Sequence, residues 1–184
     1  MLWIVGGLIG AAVLVGLFLI GIYNGLVRNK NEKDNAWSQI DVQLRRRHDL
    51  IPNLVEVVKG YARHEQQTFD SVVQARNQAL SAKGPAAAGE AEGLLGAALG
   101  KLFALAEAYP DLKANQNFLA LQEELASTEN RIGFARQAYN DAATRYNNAR
   151  ETFPANLISG GFPRAELFEI DVAAQREVPN VKFT

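Results

Sequence analysis

The chain has 184 residues, enough for one domain with an appendage and too few for two ordinary domains. Hydrophobic residues make up 48% of it and charged residues 21%, which is typical of a folded protein rather than a disordered one. The formal net charge is −1, so the basic surplus of a nucleic-acid-binding protein is absent and no nucleic-acid partner is expected. The chain contains no cysteine, which excludes disulfide bonds, thiol catalysis and cysteine-bound metals.

The first predicted element is a membrane-spanning helix, because residues 1–27 contain no charged side chain. The apolar run from Leu2 to Tyr23 would form a helix about 33 Å long, close to the hydrocarbon thickness of a bilayer. Trp3 and Tyr23 flank this run at positions that suit the membrane interface. A cleaved signal peptide is disfavoured, because no basic residue precedes the run and the run is too long. We therefore predict a single-pass anchor in the cell (inner) membrane.

The charges that follow the anchor favour one orientation. Arg28, Lys30 and Lys33 come directly after the apolar run, and no basic residue precedes it. The positive-inside rule then places the bulk of the chain in the cytoplasm. Glu32 and Asp34 dilute the local positive charge, so the periplasmic or extracellular side stays open as the alternative.

Glycines within the anchor suggest that it associates with another membrane helix. Gly6 and Gly10 form one GxxxG pair, and Gly21 and Gly25 form a second. Small residues four positions apart let two membrane helices approach closely. The alternative is that glycine is common in membrane helices and matches the motif by chance. We select the four glycines as candidate self-association residues.

Residues 28–153 are predicted to form an all-α domain, an antiparallel bundle of long helices. From Trp37 to Ala79 apolar residues recur in steps of three and four, as in an amphipathic helix. Pro52 interrupts this pattern and predicts a kink or a break near Leu50–Ile51. The helix is expected to end near residues 81–83, before Gly84-Pro85. Residues 84–100 read as a glycine- and alanine-rich linker that becomes a helix from about Ala91.

The clearest helical pattern follows. Apolar residues from Phe118 to Phe153 alternate in steps of three and four over five heptads, which predicts a helix over about residues 114–151. Small residues in this seam indicate close packing against a neighbouring helix, of the same chain or of another. The seam positions that we select as candidate self-association residues are Ala135, Tyr139, Ala142 and Tyr146.

The last part of the chain, residues 154–184, is predicted to be an irregular tail, because proline and glycine interrupt it repeatedly. Its apolar residues suggest that it packs against the domain; they are Phe162, Leu167, Phe168, Ile170, Val172 and Phe183.

No catalytic, cofactor or metal site is predicted. His64 and Glu65 are adjacent, and adjacent helical positions point about 100° apart, so they cannot bind one ion together. The serines lack the GxSxG and SxxK contexts of nucleophiles, and the glycine-rich stretch lacks a P-loop pattern. Residues 45–47, three consecutive arginines, could bind lipid or phosphate; pairing with Asp41 and Asp49 or with other helices is favoured. The protein is therefore predicted not to be an enzyme.

Several ordered motifs point to a known family. They are YNGLV at residues 23–27, QLRRRHDLIPNLVEVVKGYARHE at 43–65, YPDLK at 109–113, TENRIGFARQAYN at 128–140, YN at 146–147, FP at 153–154 and the ending at 179–183. Together they resemble the LemA family of bacterial membrane proteins, and only the glycine- and alanine-rich stretch departs from the pattern. The resemblance implies one N-terminal membrane helix followed by a helical bundle, without an established catalytic activity. It also implies a link with membrane organisation or remodelling, through a magnetosome-associated branch of the family.

Two functional hypotheses follow. In the first, the protein is a membrane-anchored scaffold that forms homo-oligomers in the bilayer and organises or remodels the membrane. In the second, it is an adaptor or sensor that presents residues 84–100 or the tail to another membrane protein, such as a protease or transporter.

Overall fold

The computed structural model describes residues 1–170, and no strand is present in this part of the chain. It contains five helices: α1 (Leu2–Tyr61), α2 (Gln66–Ser81), α3 (Pro85–Ala106), α4 (Pro110–Lys113) and α5 (Gln116–Glu151). Two 3-10 turns follow, at Ala155–Leu157 and Ser159–Gly161. The predicted all-α fold, with an apolar N-terminal helix and a helical bundle, is confirmed. The expectations for Val172 and Phe183 lie outside the described residues.

Helix α1 forms both the apolar N-terminal segment and one helix of the bundle. Its 60 residues would extend about 90 Å. The large apolar side chains from Trp3 to Ile20 are all exposed, whereas one side of the helix from Leu26 onward is buried against α5 and α2. An apolar, uncharged and uncovered helix of this length is a candidate membrane anchor.

Helix α1 continues through Pro52, so of the predicted kink or break the break is wrong. Proline lacks the N–H that would bond to the carbonyl of His48. Arg76 of α2 supplies the missing donor, since its Nε lies 2.7 Å from that carbonyl oxygen. The buried side chains of Ile51 and Leu54 hold the helix on both sides of the proline. Tertiary contacts therefore compensate for the lost helical hydrogen bond.

The buried side chains form three groups along α1. The distal core joins α1, α2, α3, α4 and the start of α5, and its largest members include Ile51, Leu54, Phe69, Leu95, Leu102, Leu112 and Phe118. The middle core contains Ile40, Leu44, Ala88, Ile132, Tyr139, Ala143 and Phe168. The proximal core, nearest the anchor, contains Leu26, Tyr146, Ala155 and Phe162. Along the chain, α1 passes first the proximal, then the middle and then the distal core, whereas α5 passes them in the opposite order. Helix α5 therefore runs antiparallel to α1.

Residues 84–100 are helical rather than a linker, because α3 already begins at Pro85. Gly84 adopts φ +83°, which makes the turn before the helix, and proline is well suited to the first helical position. The alanine side chains of α3 are small, so its buried face packs closely against α2. This packing compensates for the low helical propensity of glycine.

Helix α5 matches the predicted helix closely. It begins at Gln116, where the side chain of Asn115 accepts hydrogen bonds from the backbone N–H groups of Asn117 and Phe118. Its apolar seam packs on α1 of the same chain, which settles the alternative that spacing left open. Phe162 and Phe168 of the tail are buried and Ile170 is partly buried, so the prediction that the tail packs on the domain is confirmed for these residues, whereas Leu167 is exposed.

Candidate functional site

The segment from Phe162 to Ile170 (the C-terminal segment) is held on α5 by hydrogen bonds from side chains to its backbone. The amide of Asn147 donates to the carbonyl of Ala165 (3.0 Å) and accepts from its N–H (2.9 Å). Asn140 makes the same pair of bonds to Phe168, at 3.1 and 2.9 Å. An extended segment without a neighbouring strand needs such partners for its backbone groups.

The spacing of the two asparagines follows from the geometry of the two elements. Seven residues of an α-helix advance about 10.5 Å, and three residues of extended chain advance about 10 Å. Asn140 and Asn147 are seven positions apart, and their partners Ala165 and Phe168 are three apart. Each asparagine therefore meets an equivalent backbone position, with the segment antiparallel to α5.

A tyrosine precedes each asparagine and adds a further bond. The hydroxyl of Tyr139 donates to the carbonyl of Glu166, and that of Tyr146 to the carbonyl of Pro163, both at 2.7 Å. Burial raises the pKa of Tyr139 to about 12, and the nearby Glu166 carboxylate acts in the same direction. Burial also raises the pKa of Tyr146. Both hydroxyls therefore stay protonated and able to donate at neutral pH.

The C-terminal segment also crosses α3 at close range. A Cβ atom on Gly89 would overlap the backbone carbonyl of Glu169. Glycine is therefore needed at this crossing for its small size.

A second polar site lies inside the bundle, between the middle and distal cores. Glu92 of α3 is 1% exposed; one carboxylate oxygen lies 3.0 Å from Arg47 Nη1 and the other 2.6 Å from His48 Nε2. Glu129 of α5 approaches the same Arg47 nitrogen at 3.2 Å. Arg47, His48 and Glu92 are buried and Glu129 is half exposed, and their contacts hold α1, α3 and α5 together.

The three consecutive arginines are paired, as favoured from the sequence. Arg45 binds Asp41 at 2.8 Å on the surface of α1, and Arg46 binds Glu124 of α5 at 2.8 Å. His64 and Glu65, by contrast, lie in the turn after α1 rather than in a helix, because α1 ends at Tyr61.

The four anchor glycines lie on one side of α1. At about 100° per residue, Gly6, Gly10, Gly21 and Gly25 fall within an arc of about 100°, and Leu26 of the proximal core lies about 150° from its centre. A Cβ atom on any of the four would meet nothing within 4 Å among the described residues. The glycine face is therefore open to a second helix.

The four seam residues have partners within the chain. Tyr139, Ala142 and Tyr146 are buried and Ala135 is partly buried. Trp37 of α1 packs on Tyr139 with ring centroids 5.3 Å apart. Self-association through these residues would require this interface to open, and it stays a prediction.

Sequence reasoning missed three residues that organise these sites: Glu92, Asn140 and Asn147. The repeated Tyr-Asn pair, seven positions apart, was the available signal for the two asparagines. Glu92 lies in a stretch whose composition suggested a linker, so its burial was not visible in the sequence.

Comparisons with known proteins identify relatives over most of the chain. A model of the LemA family matches residues 36–183. Protein LemA of Metamycoplasma hominis is 26% identical over 174 residues, which cover 91% of this chain and 77% of that protein. Magnetosome protein MamQ 2 of Paramagnetospirillum magneticum is 29% identical over 175 residues, covering 80% of this chain and 64% of that protein. Magnetosome protein MamQ of Magnetospirillum gryphiswaldense is 26% identical over 174 residues, which cover 79% of this chain and 64% of that protein. The chain thus spans less than two thirds of the magnetosome proteins.

Proposed function

The chain belongs to the LemA family, and from this premise we propose that it is a membrane-anchored helical scaffold. In this proposal α1 crosses the bilayer, copies of the protein associate through their anchors, and the assembly organises or remodels the membrane. The role is structural rather than catalytic. The two relatives named as magnetosome proteins support a role at a membrane.

The observation that carries this proposal is the contrast between the two parts of α1. From Trp3 to Ile20 the helix is apolar and uncovered, and a soluble helix with this surface would aggregate. The bundle leaves the glycine face free, because the proximal core occupies the opposite side of the helix. A second anchor helix could therefore approach without displacing the bundle.

The polar clusters of the bundle support a structural role. The cluster of Arg47, His48 and Glu92 is enclosed, and the Tyr-Asn pairs bind backbone of the same chain. Three basic residues after the anchor (Arg28, Lys30 and Lys33) support a cytoplasmic location for the bundle.

The adaptor hypothesis has less support from the fold. It offers residues 84–100 or the tail to a partner. Much of residues 84–100 is buried within the bundle, including Ala88, Ala91, Glu92 and Leu95, and Phe162 and Phe168 of the tail are buried as well.

The experiment is a mass measurement of the full-length protein in mild detergent. We expect one large species, which becomes smaller when Gly6 and Gly10 are both replaced by leucine, because the added side chains separate the helices. Ala12→Leu is the matched control, since Ala12 lies about 170° from the centre of the glycine arc.

A monomer or a dimer in the unmodified protein would contradict the scaffold and favour the adaptor. Equal loss of mass in the control and in the glycine variant would contradict the assignment to the glycine face.

A further inference from the structure

We propose that residues 152–162, called the interfacial loop below, form a second contact with the bilayer. In this contact Phe153 and Leu157 insert at the boundary between lipid headgroups and acyl chains. The inference rests on the proposed function, because it requires α1 to cross a bilayer.

The depth of the interfacial loop follows from its contacts with α1. The ring of Phe162 packs on that of Tyr23, with centroids 5.4 Å apart and an interplanar angle of 70°. Ile22 and Leu26 also pack in the proximal core with Phe162 and Ala155. All these α1 residues precede Arg28, the first charged residue of the chain. The loop therefore lies beside the uncharged end of the anchor and not beside the charged part of α1.

The direction of α5 gives the same placement independently. Tyr146 packs with Leu26, and α5 runs antiparallel to α1. The five steps along α5 from Tyr146 to Glu151 advance about 7.5 Å toward the N-terminal end of α1. Thr152 and the residues after it thus reach the level of the last residues of the apolar run.

The side chains of the interfacial loop are divided between the protein and its exterior. Ala155 and Phe162 are buried in the proximal core and fix the loop, whereas Phe153 is 75% exposed and Leu157 is 74% exposed. Two large apolar side chains held outward on an ordered loop are costly in water and favourable at a membrane interface.

The charge pattern fits a lipid surface. No charged residue occurs from Thr152 to Pro163. Glu151 stands directly before this range, and Arg150 and Arg164 lie on either side of it, 3.4 and 3.5 Å from Glu151 Oε1. The side chain of Arg164 is 72% exposed. Two arginines against one carboxylate leave a net positive charge beside the inserted apolar loop, which suits the phosphate groups of the adjoining headgroups.

The test uses single cysteines, which the natural chain lacks. Phe153→Cys, Phe134→Cys and Val13→Cys variants of the full chain carry an environment-sensitive fluorophore. They are reconstituted into vesicles of phosphatidylcholine and phosphatidylglycerol whose acyl chains bear a nitroxide quencher. Phe134 is the matched control: it is 76% exposed, and it lies about 25 Å along α5 from Glu151, toward the distal core.

We expect the probes at positions 13 and 153 to lose most of their emission and the probe at position 134 to keep it. Quenching at 13 without quenching at 153 would overturn the loop contact while leaving the anchor intact. No quenching at 13 would overturn the proposed function as well. Equal quenching at 153 and 134 would show that the whole bundle lies on the lipid, which also overturns the inference.

A water-soluble quencher distinguishes a protein partner from the bilayer. A probe at position 153 that neither quencher reaches would identify a protein on this surface, and the bilayer contact would be wrong.

Discussion

The two ends of the bundle are stabilised in different ways. In the distal core, α1, α2, α3, α4 and the start of α5 bury mainly aliphatic side chains, together with Phe69 and Phe118. In the middle and proximal cores, two helices bury aromatic rings and hold an extended segment through specific hydrogen bonds. Apolar contacts depend mainly on volume and tolerate replacement by residues of similar size. Hydrogen bonds to a fixed backbone depend on the position of individual atoms.

This difference assigns the two ends different roles. The distal end completes a helical domain, and its helices satisfy their own backbone groups. The proximal end joins the anchor, α5 and the C-terminal segment, which has no helical hydrogen bonds of its own and needs the Tyr-Asn pairs. The end nearer the proposed membrane is therefore the geometrically specified one.

The largest expected effect on stability comes from replacing Glu92, in the buried cluster between the two ends of the bundle. Glu92→Gln removes the buried charge that pairs with Arg47, so the unfolding free energy should fall by about 3–5 kcal/mol. Denaturant unfolding of the full chain in detergent, followed by circular dichroism, measures the change. Glu124→Gln removes the exposed pair with Arg46 and should cost less than about 1 kcal/mol. Equal effects would show that the buried cluster is unimportant.

The crossing of the C-terminal segment over α3 gives the next effect. Gly89→Ala forces the Glu169 carbonyl to move and should destabilise the fold by about 1–3 kcal/mol. Gly100→Ala, in the same helix with nothing within 4 Å of the added Cβ, should instead stabilise it by about 0.5–1 kcal/mol. Thermal unfolding distinguishes the two signs. A stabilising Gly89→Ala would mean that the segment does not cross there.

The asparagine contacts can be tested by proteolysis. Asn147→Ala removes two hydrogen bonds worth about 1 kcal/mol each, so the open form of the C-terminal segment should rise roughly 30-fold. Trypsin cleavage after Arg164 measures this opening. Asn148→Ala changes an exposed neighbour on α5 and should leave the cleavage rate unchanged. The same rate in both variants would contradict the specific role of Asn147.

The smallest effect is a dependence on alkaline pH. The pKa of Tyr139 is raised in the fold to about 12, above the unfolded value of about 10. Its contribution to the free energy of unfolding is therefore complete below pH 10 and is lost as the pH rises toward 12. The loss is about 1 kcal/mol at pH 11. Tyr139→Phe combined with Tyr146→Phe should weaken this alkaline loss in unfolding curves at pH 9 and 11. If the double variant loses as much stability between pH 9 and 11 as the unmodified protein, other groups cause the alkaline destabilisation.

The local sequence pattern was sufficient to predict the candidate anchor and helix α5. The uncharged run predicted the candidate anchor, and the three-four spacing predicted α5 to within two residues at its start, because both signals depend on neighbouring residues alone. The same reasoning allowed a break at Pro52, where the helix continues, and predicted a linker at Pro85, where a helix begins. At Pro52 the missing donor comes from Arg76 on another helix, and at Pro85 tertiary packing stabilises a glycine-rich helix.

The sequence by itself determined that this protein is mainly helical, where α5 lies, and that its first segment is apolar enough to enter a membrane. Only the tertiary structure decided that the α5 seam meets α1 of the same chain, that Glu92 pairs with Arg47 and His48, and that two asparagines hold the C-terminal segment. The reason is physical. Helical periodicity is a property of residues a few positions apart, whereas these contacts join residues from 18 (Asn147 and Ala165) to 102 (Trp37 and Tyr139) positions apart.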